Sequence, residues 1–249
     1  MNPLALEHCD LLIVGAGPAG MAAAVAAAPS GAAIAVIDDN PVPGGQIWRD
    51  GPGAHLPPAA RQLREAMARC ANVRLCSGTR VVAVPAPAQL LLEDAERGWR
   101  IHWKKLILCT GARELLLPFP GWTLPGVTGA GALQALIKAG MPVAGERIVV
   151  AGSGPLLLAA AATAKQAGAR VMQVAEQASL AAVTGFALQL ARWPGKAAQA
   201  LTLANRHYRT RMHVVSALGR QRVEAARIRH DRRNDTEIAC DRIACGFGL

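Results

Sequence analysis

DLLIVGAGPAGMAAAVAAAPSGAAIAVIDDN, Asp10 to Asn40, holds the logic of this fold in one stretch. An apolar strand, Leu11 to Val14, is followed by the turn GAGPAG, an alanine-rich helix and a second apolar strand that ends in acid. Gly15, Gly17 and Gly20 stand at the G-x-G-x-x-G spacing, interleaved by Ala16, Pro18 and Ala19. Each glycine answers a different steric demand. Gly15 permits the tight turn, Gly17 lacks the Cβ that would block an approaching diphosphate, and Gly20 lets the helix lie close to the strand. Phosphate oxygens placed there meet free backbone N–H groups and the positive end of the helix dipole. Asp38, about two dozen residues beyond Gly15, is placed to accept hydrogen bonds from ribose hydroxyls, with Asp39 the alternative if the register shifts by one. Such a bond to a charged group contributes about 1.5–3 kcal/mol.

The same grammar returns in ERIVVAGSGPLLLAAAATAKQAGARVMQVAE, Glu146 to Glu176. Here Gly152 and Gly154 supply the first two glycines and Glu176 the acid, but Leu157 stands where the third glycine belongs. A bulky residue there is expected to push the helix off the strand, or to mark a site that has drifted from nucleotide binding. Two readings of this unit therefore stay open: NAD or another adenine nucleotide, with Glu176 repelling the 2′-phosphate of NADP, or a purely structural domain. The repetition predicts an α/β chain of two Rossmann-like dinucleotide-binding domains, residues 1–119 and 120–249. The Pro- and Gly-dense PFPGWTLPG, Pro118 to Gly126, is read as the crossover between them.

Between the two units the pattern predicts a loop from Asn40 to Pro58 and a helix from Ala59 to Ala71, with Leu63, Ala66, Met67 and Cys70 at helical spacing. Strands are expected at Val73 to Cys76 and Arg80 to Val84, then a hairpin of Gln89 to Glu93 with Trp99 to Trp103, then a buried strand from Leu106 to Cys109. After Glu176 come helical segments to about Asn205, broken at Pro194-Gly195. Strands follow at His213 to Ala217, Val223 to His230, Glu237 to Cys240 and Arg242 to Cys245. An ending on a strand and the unfinished loop GFGL leads to the expectation of a truncated chain.

Two further markers narrow the chemistry. GGQIW places Gly44, Gly45 and Gln46 in the loop after the second strand, and LILCTGAR places Thr110, Gly111 and Ala112 after a later one. With the glycine turn, these three markers resemble the two-dinucleotide-domain flavoproteins, the superfamily of thioredoxin reductase, and the resemblance implies FAD. DDNPVPGGQIWR, RELLLPFPGWTLPGV, GSGPLLL and CDRIACGFGL look more closely like one family of subunits: the A-type chain of opine oxidase, the B-type chain of hydrogen cyanide synthase and the alpha chains of proline or D-hydroxyproline dehydrogenases. The likeness covers nearly the whole chain. It implies an FAD-dependent subunit of a heteromeric amine or amino-acid dehydrogenase or oxidase, of opine, proline, hydroxyproline or glycine type. It also implies a flavin amine-oxidase-like catalytic partner subunit and a small amino-acid or amine substrate. Members of that family continue past GFGL with the segment that closes the flavin site and often a cysteine-rich iron–sulfur region. The resemblance thus implies an FAD domain incomplete at its C-terminal part and weak flavin retention by this chain alone. Two alternatives remain, an NAD(P)H-dependent disulfide reductase and a non-catalytic fragment.

Other residues carry less. Cys109 has no CxxC partner, so the local disulfide of a thioredoxin reductase is not expected, and Cys240 and Cys245 find no second pair to complete a metal site. Scattered histidines suggest no triad, Trp48 and Trp122 read as packing, and no catalytic or metal-binding residue is assigned. A charge of +10, from 27 basic against 17 acidic residues, invites nucleic acid. The basic runs RHYRTR (Arg206 to Arg211) and RIRHDRR (Arg227 to Arg233) lack interleaved aromatics apart from Tyr208, and favour a solvated or partner-facing surface instead. The N-terminus shows no signal-peptide pattern, no apolar run is long enough to span a bilayer, and the cysteines read as reduced thiols, so a cytoplasmic protein is expected.

Overall fold

The computed structural model describes residues 6–50, 56–190, 192–193, 206–231 and 234–248. It divides into two compact units, Met1–Ala112 and Arg113–Leu249, a division that falls upstream of the 119/120 boundary expected from sequence.

The first unit runs β1 (Leu6–Val14), α1 (Pro18–Ala27), β2 (Ile34–Asp38), α2 (Pro58–Ala68), β3 (Val73–Ser77), β4 (Arg80–Ala86), β5 (Gln89–Glu93) and β6 (Gly98–Leu108). Its sheet has the order β3-β2-β1-β6-β5-β4, parallel from β3 through β6 and antiparallel in the β4-β5-β6 meander. Strand β1 is apolar on both faces because both are covered. Leu12 joins Ile37, Trp99 and Ile101 on one side, while Ile13 joins Met21, Val36 and Met67 on the other. Each such wholly buried aliphatic side chain contributes about 1.5–3 kcal/mol. Helix α1 starts on a proline, whose missing N–H is no loss in a first turn. Helix α2 turns Ala60 and Met67 inward.

The expected hairpin arm at Trp99 to Trp103 and strand at Leu106 to Cys109 are one continuous strand, β6, and its second half is not buried as expected. Leu106, Ile107 and Leu108 are exposed, the last at 67%. Strand β5 pairs with β6 only as far as His102, and beyond it β6 is paired with β1 alone among the described residues. Apolar sequence predicts burial, but burial requires a neighbour.

The second unit contains β7 (Val127–Gly129), α3 (Ala130–Lys138), β8 (Arg147–Gly152), α4 (Leu156–Gln166), β9 (Arg170–Glu176), α5 (Leu180–Leu190), β10 (Tyr208–Arg209), β11 (Met212–Leu218), β12 (Ala225–His230), β13 (Thr236–Ala239) and β14 (Arg242–Gly246). A parallel sheet of order β10-β9-β8-β14-β7 carries α3 and α4 on a core of Leu133, Ile148, Val150 and Leu157. Its other face, through Val149, Ile243 and Cys245, packs on the antiparallel sheet β11-β12-β13 through Val214, Ala226 and Ile228. The helices expected between Arg192 and Asn205, including the break at Pro194-Gly195, fall outside the described residues apart from Arg192 and Trp193. PFPGWTLPG is stitched into this second unit. Pro120 O accepts from Ala217 N at 2.9 Å, Pro125 O from Val223 N at 3.0 Å, and Gly126 O from Ile243 N at 2.9 Å. Two arginines of the later basic run are matched within their own sheet, Arg227 by Glu237 and Arg229 by Asp235, each at 2.7 Å.

Candidate cofactor-binding site

Where β1 ends, Gly15 adopts φ +102°, a left-handed conformation that favours glycine, and any Cβ there would strike the Cys109 carbonyl. Its N–H donates to Ile37 O at 2.7 Å, and Cys109 N donates to Val14 O at 2.7 Å, so the turn is fixed between its two neighbouring strands. A Cβ on Gly20 would collide with the Gly15 carbonyl, which is why the first turn of α1 can lie directly on the strand end. Gly17 caps the helix without a side chain. The amides of Ala19 and Gly20, inside the first turn, therefore have no side-chain acceptor at the cap and face whatever anion approaches.

Asp38 sits beside this turn, 8% exposed. Its Oδ2 accepts from Ala16 N at 2.5 Å, and its Oδ1 accepts from Asn40 N at 2.8 Å and Asn40 Nδ2 at 2.7 Å. Asp39 is exposed, with its carboxylate 3.5 Å from Arg80. Asn40 was not singled out by sequence. An amide two residues beyond the acid was its available signal, since such side chains habitually bond neighbouring backbone and carboxylates.

The GGQIW loop lies on the turn. Gly44 N donates to Ala16 O at 2.8 Å, and a Cβ on Gly45 would stand a tight 3.1 Å from the Gly17 Cα, whereas one on Gly17 would meet the Gly45 Cα at an ordinary 3.9 Å. Trp48 N returns to Gly44 O at 3.1 Å, and Arg64 holds the loop from α2, bonding Trp48 O at 3.2 Å and Asp50 at 2.9 Å. Trp48 packs on the Ile13–Met67 core, whereas Gln46 is exposed. Arg49 and Arg64 each bury an Nε with no partner. Thr110, Gly111 and Ala112 follow β6 as exposed chain next to Cys109, whose carbonyl overlies Gly15. A cradle of apposed glycines, an uncapped helix start, an acid beside it and orphaned guanidinium nitrogens suit a diphosphate-linked dinucleotide.

In the second unit Gly152 lies opposite Glu176 across β8 and β9. Glu176 is 1% exposed, and its carboxylate accepts from Gly154 N at 2.9 Å, Ala178 N at 2.8 Å and the Tyr208 hydroxyl at 3.1 Å. Burial, and then the charge of Glu176, push the Tyr208 hydroxyl well above its ordinary range. Leu157 is wholly buried and settles against Gly246, where a Cβ would come 2.9 Å from Leu157 Cδ2. Its bulk is thus taken up by a glycine on β14, and the expected displacement of the helix is met by space on the neighbouring strand. Cys240 and Cys245 lie in the core, where burial raises their thiols to about 11 and about 12. Trp122 is 42% exposed, so it contributes less packing than expected. Glu114, also unremarked in the sequence, accepts from Gly131 N at 2.7 Å and Ala132 N at 3.0 Å, capping α3 from outside the helix. No helix among the described residues is long and apolar enough to cross a membrane.

The chain matches the pyridine nucleotide-disulphide oxidoreductase family over residues 9–249. It is 36% identical over 193 residues to the HcnB chain of hydrogen cyanide synthase from Pseudomonas aeruginosa, covering 74% of this chain and 42% of that one. It is 39% identical over 189 residues to the A-type chain of opine oxidase from Agrobacterium tumefaciens, covering 69% of this chain and 37% of the relative. Among solved structures, L-proline dehydrogenase from P. horikoshii superposes with a TM-score of 0.63 at 19% identity, over all of this chain and 43% of that chain; at that identity the likeness concerns the fold. The chain therefore spans about two fifths of the length of these relatives. The match from residue 9 onward covers both Rossmann units and every glycine, acid and TGA position described above, and the chain belongs to the pyridine nucleotide-disulphide oxidoreductase family.

Proposed function

We propose that this chain is the FAD-binding portion of an FAD-dependent oxidoreductase subunit, working beside a flavin amine-oxidase-like partner that oxidises a small amino acid or amine. The observation that carries this reading is the apposition of Gly45 on Gly17 with Asp38 buried beside the turn. That backbone concavity suits a diphosphate, with the carboxylate beside the place of a ribose. Gly15 to Gly20 supply the amides, Asp38 the acceptor for sugar hydroxyls, and Gly44 to Gln46 and Thr110 to Ala112 the flanking walls. When bound, the flavin supplies hydride acceptance and onward electron transfer. The chain's own residues bind, orient and shield it, and none of them is given an acid–base role. The amino-acid and partner assignments draw on the names of the relatives, subunits of an opine oxidase and a hydrogen cyanide synthase.

For the second unit, the Gly154 N–H held by Glu176 and a helix that starts only at Leu156, after Pro155, favour a structural role over NAD or another adenine nucleotide. Six unpaired cysteines suit the cytoplasm. Equilibrium titration of the chain with FAD and with NAD, followed by flavin fluorescence and calorimetry, tests both assignments. Saturable FAD binding that is lost in Gly17→Val and unaffected by NAD is the expected result. No FAD binding even at millimolar concentration overturns the proposal. Co-purification with a tagged amine-oxidase-type protein encoded beside this chain tests the partner.

A further inference from the structure

We infer that Arg49 supplies the side-chain cation for the diphosphate of the bound dinucleotide, an assignment that rests on the FAD reading above and adds a residue to it. Arg49 leaves the GGQIW turn at a point fixed on three sides. Gly44 is bonded to Ala16, Gly45 abuts Gly17, and Trp48 is held by Arg64. The guanidinium therefore starts from backbone locked to the glycine turn.

Arg49 also differs from most arginines of its unit. Arg64 pairs with Asp50, Arg74 and Arg97 share Glu7, Arg69 has Glu65, and Arg80 has Asp39 and Glu93. The Nε of Arg49 is buried with no partner, and no carboxylate among the described residues lies within ion-pair distance of it. An arginine stays charged at any working pH. A buried donor on such a group, left without a protein acceptor, is an arrangement that native proteins rarely keep unless water, an ion or a ligand completes it. Its sequence neighbour Asp50 is already committed to Arg64 at 2.9 Å. The helix beside it opens on Gly17 with no side-chain cap. Backbone amides and one guanidinium thus belong to two segments that touch, and both suit an anionic acceptor such as a phosphate oxygen. The planar fork of arginine matches two such oxygens at once, which a lysine ammonium cannot.

The test is calorimetric titration of the whole chain with FAD and, separately, with ADP, which keeps the adenosine and diphosphate but lacks the flavin. Arg49→Ala is expected to weaken both ligands alike, by about ten- to a hundredfold, with Arg49→Lys in between. The gap between wild type and Arg49→Ala should narrow as salt is added. Arg49→Gln, which keeps length and polarity without the charge, serves if the alanine variant melts early, and it should show the same loss. Unchanged affinity in Arg49→Gln and Arg49→Ala overturns the inference. So does a loss confined to FAD, which would put the cation at the flavin ring. A wild-type chain that binds neither ligand removes the FAD reading along with this one, whereas FAD binding indifferent to Arg49 removes this one alone.

Discussion

The two Rossmann units solve one packing problem in opposite ways. In the first, Gly20 leaves room on the helix and Cys109 stands on the adjoining strand end, with a Cβ at Gly20 only 3.4 Å from Cys109 Cβ. In the second, Leu157 fills the helix position and Gly246 leaves the room on the strand. The volume in the seam has changed sides. Helix and sheet stay closely packed either way, so bulk absent from one side of the seam is made up on the other. The turns themselves are less alike. In the first unit Gly17 keeps φ −70° and the helix starts at Pro18, whereas in the second Gly154 takes φ +94°, its N–H is held by Glu176, and the helix starts only at Leu156, after Pro155. Architecture survives a swap of bulk that leaves the two glycine turns in different conformations.

Forcing the first unit to imitate the second should do the most damage. Gly20→Leu drives side-chain atoms into the Gly15 carbonyl. It is expected to destabilise that unit by more than about 3 kcal/mol and to abolish FAD binding, as read by urea unfolding and flavin titration. If Gly20→Leu folds and binds FAD normally, the comparison fails. The converse change, Leu157→Ala, opens a cavity beside Gly246 and should lower stability by about 2–5 kcal/mol while leaving FAD affinity alone. Adding Gly246→Ala should recover part of that loss, and a double-mutant cycle with no coupling between the two positions would show that they do not share a seam.

Asp38→Asn against Glu176→Gln sharpens the contrast further. The first should lower FAD affinity by about tenfold or more, in line with a bond to a charged group of about 1.5–3 kcal/mol. The second should leave FAD binding intact and lower only stability, by about 1–2 kcal/mol. The smallest effect is one of pH. In the second unit the Arg147 side chain and main-chain N–H hold Asp241 down from an ordinary 3.8 to about 2. A depressed carboxylate stabilises the fold fully above its unfolded value and loses that contribution as pH falls through the folded one. Melting temperature should therefore drop between about pH 4 and pH 2, and Asp241→Asn should flatten this acid limb.

The β1–α1–β2 unit was legible in the sequence because its constraints are local and steric. Gly15 and Gly20 meet backbone within their own turn or on the next strand, and only one residue type fits. The second unit was legible for the same reason up to Gly154. The Leu157–Gly246 exchange was not, because the two residues become neighbours only once β14 has entered the sheet beside β8, and no spacing rule announces that. Arg49 was missed because an unpartnered nitrogen is a property of the surroundings that a string of letters does not carry. The Leu106–Leu108 stretch misled in the other direction, since apolar composition was taken for burial where the described chain provides no cover. PFPGWTLPG had the look of a linker, yet its carbonyls are spoken for by Ala217 and Val223. Proline and glycine mark where the chain turns and say little about what the turn leans on.

The strand order of the second sheet has a consequence for synthesis. Strand β14 lies between β7 and β8, both made roughly a hundred residues earlier. As the chain emerges from a ribosome, those two early strands wait with a vacant slot between them, exposing ladder groups that only a much later stretch can satisfy. The strands described for the first sheet all lie within the first 108 residues, a shorter wait. Newborn chains should thus pass through a stage with one half settled and the other still open to the wrong strand, the stage at which a chaperone has most to protect.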